Sequence, residues 1–167
     1  MGVATIGLIL LVAVLLQGSV IPVIPMFNVE PGLVLLAIVG WSFLRGAGET
    51  LAAAAIGGLL LGLSSSAPFG TDLLALVPVA FLLILAESSA VEKDLFFSLT
   101  ATFVCTLIYQ AVVLLILQSL GQPTAWLPSL LKVAVPSAVV NTLLMPFIFW
   151  LLQRVRDRLP VTAQEGW

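Results

Sequence analysis

The strongest constraint on this chain is where its charges fall. Its six basic and eight acidic residues sit almost wholly in short breaks between apolar runs, and one such run, Leu95 to Leu120, carries none. A soluble domain needs charge on roughly a quarter of its residues. Here charged residues make up 8% and hydrophobic residues 61% of the sequence. A 167-residue chain has too much surface for its volume to hide so many apolar side chains from water. Lipid is the solvent this pattern fits, and the mean hydropathy of +1.24 agrees. A spanning helix takes ~20 residues, so the expected fold is all-α: a single transmembrane domain over residues 1–167, a polytopic bundle of about six helices.

The same composition excludes most chemistry. The chain contains no histidine, which removes Ser-His-Asp and Cys-His pairs, the zinc-protease helix motif and most transition-metal sites. Cys105 is the single cysteine, so no disulfide framework can form. No Gly-rich phosphate loop is present. The net charge of −2, with no basic cluster before the C-terminus, gives nucleic acid nothing to bind. The chain is expected to be no enzyme, with no catalytic residue, cofactor or metal.

The first helix is expected over about 3–21. A signal peptide would begin with basic residues and end at a small-x-small cleavage site; this run has neither, so it is read as retained. Pro22, Pro25 and Asn28 break the chain before a second helix, 31–44, with Pro31 at the first helical position, which suits its fixed φ. Arg45 to Gly48 forms a turn into a third helix, 49–63. At 1.5 Å per residue these two are only ~20–25 Å long against a hydrocarbon slab of ~30 Å. Either their ends reach into the flanking turns or the bilayer thins around them. Ser64 to Gly70 is a loop, and Thr71 with Asp72 signals a fourth helix, 72–87, kinked at Pro78. Glu87, Glu92, Lys93 and Asp94 mark the next break. A fifth helix, 95–120, ends at Gly121-Gln122-Pro123, and a sixth covers 129–153.

Orientation follows the basic residues. With the N-terminus inside, the cytoplasmic positions hold Arg45, Lys93, Arg154, Arg156 and Arg158, and the outer loops hold only Lys132. This places both termini in the cytoplasm. Trp126 at an outer boundary and Trp41 and Trp150 near inner ones suit interfacial anchoring. The acidic residues Glu30, Glu49 and Asp72 lie at helix starts, where the dipole favours them, so no proton relay or ion pathway is expected.

Three constellations stand out within the apolar runs. Ala54, Gly58 and Gly62 lie four apart on the third helix, a small-residue face that lets backbones approach. Packing within the chain is the preferred reading over docking of a partner. Ser98, Thr102, Thr106 and Gln110 repeat at the same spacing on the fifth helix, a polar stripe that must face protein or water. It either lines a small-molecule cavity or bonds to neighbouring helices and its own backbone. Asn141 sits near the middle of the sixth helix between Pro136 and Pro146. Its amide either satisfies a carbonyl freed by proline or a neighbouring helix, or it fixes this helix as a docking surface.

Taken together, three blocks resemble the MreD family of the bacterial rod-shape system. They are Glu30-Pro31-Gly32-Leu33-Val34-Leu35-Leu36 with Trp41 and Arg45; Gly58-Leu59-Leu60-Leu61-Gly62-Leu63 followed by Ser64 to Gly70; and Val139-Val140-Asn141-Thr142-Leu143-Leu144-Met145-Pro146 running into the Arg154–Arg158 end. Gln17 also fits, and the order and spacing cover nearly the whole chain. Gly62 departs from the pattern, since the family usually carries aspartate there. The resemblance implies a non-enzymatic component of the elongation complex in the bacterial plasma (inner) membrane. It implies MreC as partner, with RodA and a class B penicillin-binding protein reached directly or through it, and the MreB filament on the cytoplasmic side. It also implies a fold similar to the substrate-binding subunits of energy-coupling-factor transporters. A vitamin-uptake subunit is therefore the alternative.

Overall fold

The structure, a computed structural model, describes residues 2–20, 31–45, 47–65, 67–88, 95–122 and 125–158. Among them it is all-helical: α1 (Gly2–Val20), α2 (Leu33–Arg45), α3 (Ala47–Ser64), α4 (Thr71–Ser88), α5 (Leu95–Ser119), a short α6 (Trp126–Ser129), a π-helical turn (Leu130–Ala134) and α7 (Val135–Arg158). Among the described residues three stretches are long and apolar enough to cross a membrane, Ala47–Ser64, Phe96–Ser119 and Trp126–Asp157, the last joining α6, the π turn and α7. Val3–Ser19 and Leu33–Leu44 are shorter apolar helices. The expected breaks at Pro22 to Glu30 and Glu92 to Asp94 lie outside the described residues, as do Lys93 and the side chains of Arg45 and Arg158.

The short second helix is the centre of the bundle. Every residue from Val34 to Ser42 is buried, and α2 packs against α1, α3, α4, α5 and α7. A helix that is apolar all round belongs inside a bundle. Its 13 residues span only about 20 Å, yet its sides meet protein, so its length need not match the lipid. For α3 the first of the two expected alternatives holds: it takes in Ala47 and Gly48 and reaches 18 residues, about 27 Å.

Helix ends follow local rules. Gly70, at φ +93°, precedes α4; its carbonyl accepts from the Leu74 N–H at 2.9 Å, the first bond of that helix. Gly121, at φ +77°, closes α5. There the Gln122 N–H donates to the Leu117 carbonyl at 3.1 Å and the Gly121 N–H to the Gln118 carbonyl at 2.9 Å, the paired bonds that a left-handed residue permits at a helix C-terminus. Pro78 lies inside an unbroken α4. Pro136 acts differently. Its ring cannot sit against the carbonyl four residues earlier, and the preceding turn, Leu130–Ala134, is wound as a π-helix. The last helix therefore starts earlier, at Trp126, than the 129 expected from Pro128, because proline is tolerated in a first turn.

The third helix is flattened on two sides. A Cβ on Gly58 would lie 2.6 Å from the Leu73 Cα of α4, so the two backbones touch. A Cβ on Gly57 would meet Val34 and Ile38 of α2 at 3.0 Å. Ala54, Gly58 and Gly62 are buried, and the first two pack as the small-residue reading within the chain requires. Gly62 is looser, with ordinary contacts of 3.7 Å to the Phe69 ring and the Gly70 nitrogen.

Candidate functional site: a polar node at the start of the central helix

The burial of α2 raises a specific problem. The first N–H groups of a helix have no intrahelical acceptor, and in a dry bundle each must find another partner. Other helices supply these partners. The Gly32 N–H donates to Oδ1 of Asn141 on α7 at 2.9 Å, and the Val34 N–H reaches Oε1 of Gln17 on α1 at a longer 3.4 Å. The Leu33 N–H turns back to the Pro31 carbonyl at 3.0 Å, and Pro31 itself has no N–H to satisfy. Two side chains on different helices thus perform the capping that a local Ser or Asp would ordinarily do.

Asn141 is 2% exposed and uses both ends of its amide. While Oδ1 accepts from Gly32, Nδ2 donates to Oγ1 of Thr106 on α5 at 3.3 Å. The amide therefore ties α2, α5 and α7 together at one point. Of the two partners expected for it, a freed carbonyl or a neighbouring helix, it takes neighbouring helices. Pro146 lies exposed one turn further along α7.

The polar stripe on α5 divides at this node. Thr106 Oγ1 donates to the Thr102 carbonyl at 2.8 Å, and Thr102 Oγ1 to the Ser98 carbonyl at 2.7 Å. Both threonines are buried, so the hydroxyls satisfy themselves on their own helix. Ser98 is buried as well, but its Oγ has no partner among the described residues; the same is true of Ser137, one turn before Asn141 on α7. Gln110 is half-buried and does not join this chain of bonds.

Two carboxylates assigned to helix starts prove to have interhelical partners. Glu49, in the first turn of α3, accepts the indole N–H of Trp41 at 2.9 Å. Trp41 is fully buried, which corrects the expectation of an interfacial anchor. A tryptophan on a central helix has protein on every side, and Glu49 satisfies its one donor. Asp72, in the first turn of α4, accepts the Tyr109 hydroxyl of α5 at 2.6 Å through Oδ1, while its buried Oδ2 has no partner among the described residues. Sequence spacing gave no sign of either pair, because each partner lies on another helix.

At the opposite end of α7, Arg156 pairs with its neighbour Asp157 at 3.0 Å. Arg154 instead lies over the Trp150 ring, 4.1 Å from its centroid. Among the described residues no group of three His, Cys, Asp or Glu side chains converges as a metal site. The node itself contains amides and hydroxyls and no ionisable group, a set suited to holding helices in register. No protein-family model, curated protein or solved structure matches the chain.

Proposed function

We propose that the chain is a six-span protein of the MreD type: a non-enzymatic component of the elongation complex in the bacterial inner membrane. In this reading α1 to α5 and the joined α6–α7 each cross the bilayer, and both termini face the cytoplasm. It binds MreC and through it supports RodA and a class B penicillin-binding protein, with MreB filaments beneath.

The observation that supports this reading is that the first and third blocks behind the resemblance meet in space. In the first block the Gly32 N–H is capped by Asn141 of the third at 2.9 Å and the Val34 N–H by Gln17. Gly58 and Gly62 of the second block pack on Leu73 and Phe69. Residues scattered along the sequence thus become one set of mutually dependent helix contacts, as a rigid platform for a partner requires. At position 62, where the family usually carries aspartate, a side chain would point towards the Gly70 N–H before α4. Glycine leaves that start without a side-chain acceptor from α3.

The test is co-purification of the tagged chain with MreC and RodA from a native membrane, with mass spectrometry of the same sample for small molecules. MreC recovered at stoichiometric level, with no bound vitamin, is the expected result. A stoichiometric vitamin-sized ligand without MreC would overturn the proposal in favour of a transporter subunit.

A further inference from the structure

One face of α7 is unlike the other lipid-compatible faces of the bundle. Leu143, Phe147, Trp150, Leu151 and Arg154 follow the spacing of a single helical stripe. All are exposed, Leu143 at 74%, Phe147 at 61% and Trp150 at 47%. Phe147 and Trp150 stack, with centroids 6.2 Å apart and planes at 29°, and the Arg154 guanidinium lies over the indole at 4.1 Å. The stripe is thus an apolar track that ends in a cation held over an aromatic ring.

We propose that this face binds an anionic phospholipid, with its phosphate on Arg154 and an acyl chain along Leu143, Phe147 and Leu151. Charge complementarity supports the headgroup. Arg154 has no carboxylate partner among the described residues, and attraction to a ring face spends none of the guanidinium N–H groups that a phosphate would take. Arg156, two residues on, already spends Nε and Nη2 on Asp157 at 3.1 and 3.0 Å. The indole N–H of Trp150, which donates to none of the described residues, supplies a second donor for the ester oxygens. Length supports the chain. Leu143 to Arg154 spans about 16 Å along the helix, and one leaflet of a ~30 Å hydrocarbon core is about 15 Å deep. The track is therefore as long as the leaflet whose headgroup Arg154 would meet.

Native mass spectrometry of the full chain, released from a micelle carrying equimolar phosphatidylglycerol and phosphatidylcholine, tests this. Wild type should retain phosphatidylglycerol in preference. Arg154→Gln should lower that preference at least about fivefold, the effect of one basic side chain at an anionic surface. Arg156→Gln should change it less than about twofold, because that charge is already compensated by Asp157. Trp150→Phe, which keeps the ring and removes only the N–H, should give an intermediate loss. Equal losses in Arg154→Gln and Arg156→Gln would show diffuse attraction and overturn the site. So would an absence of preference in wild type, or displacement of the lipid by millimolar inorganic phosphate, which has no chain to lie on the track.

Discussion

Replacing Asn141 by leucine isolates the cost of the node. Leucine keeps the branching and heavy-atom count of asparagine, with bulkier methyl groups in place of the amide, and both hydrogen bonds disappear. The Gly32 N–H then loses its acceptor at the half-buried start of α2, a penalty of about 1–3 kcal/mol for a donor stranded away from water. The second bond, from Nδ2 to Thr106 at 3.3 Å, is long, and interhelical side-chain bonds in membranes average about 0.6 kcal/mol. Leucine at this buried site meets protein in the fold and lipid in the membrane-embedded unfolded chain, both apolar, so that difference largely cancels. Asn141→Leu should therefore lose about 2–3 kcal/mol, dominated by the stranded amide. Thr106→Val removes the weak bond from the amide together with the hydroxyl's own bond to the Thr102 carbonyl, and at about 0.6 kcal/mol each should lose about 1 kcal/mol. Steric trapping in bicelles measures both, and hydrogen exchange of the peptide covering Pro31 to Leu36 should speed up in Asn141→Leu alone. If Asn141→Leu falls within about 0.5 kcal/mol of wild type, or Thr106→Val costs as much, the stranded-donor account is refuted.

Two further outcomes follow from other parts of the bundle. Gly58→Ala forces a Cβ into the 2.6 Å approach to Leu73 Cα and should cost about 1–3 kcal/mol by overpacking. Gly62→Ala, with 3.7 Å available, should be neutral or gain up to about 1 kcal/mol from helix propensity. The same unfolding assay reads both, and equal effects would mean that α3 and α4 are not in backbone contact. For topology, a single cysteine placed after Trp167 in a Cys105→Ala background should resist membrane-impermeant maleimide in intact cells and react after lysis. Labelling in intact cells would reverse the orientation read from the basic residues.

The sequence alone determined the elements and the medium. Apolar runs separated by charge specify helices that must avoid water, and Gly70 and Gly121 mark helix ends through their own backbone restrictions, a local matter that neighbours do not alter; α2, expected to start at Pro31, begins at Leu33. It also marked Asn141 and the Ala54–Gly58–Gly62 face, since an amide in an apolar helix and a row without side chains both demand a close partner. The identity of those partners came only from the tertiary structure. Which helix sits at the centre depends on the packing of all the others, so a short α2 with Trp41 near its end read as a thin span with an interfacial anchor. In the fold it is an enclosed core helix whose tryptophan bonds to Glu49. The caps on Gly32 and Val34 come from Asn141 and Gln17, 109 and 17 residues distant in sequence, and Asp72 meets Tyr109 across 37. Hydrogen bonds in a dry bundle are obligatory, so the sequence could show that these groups needed partners. Their geometry is set by side chains converging from different helices, and no periodicity along one helix encodes that.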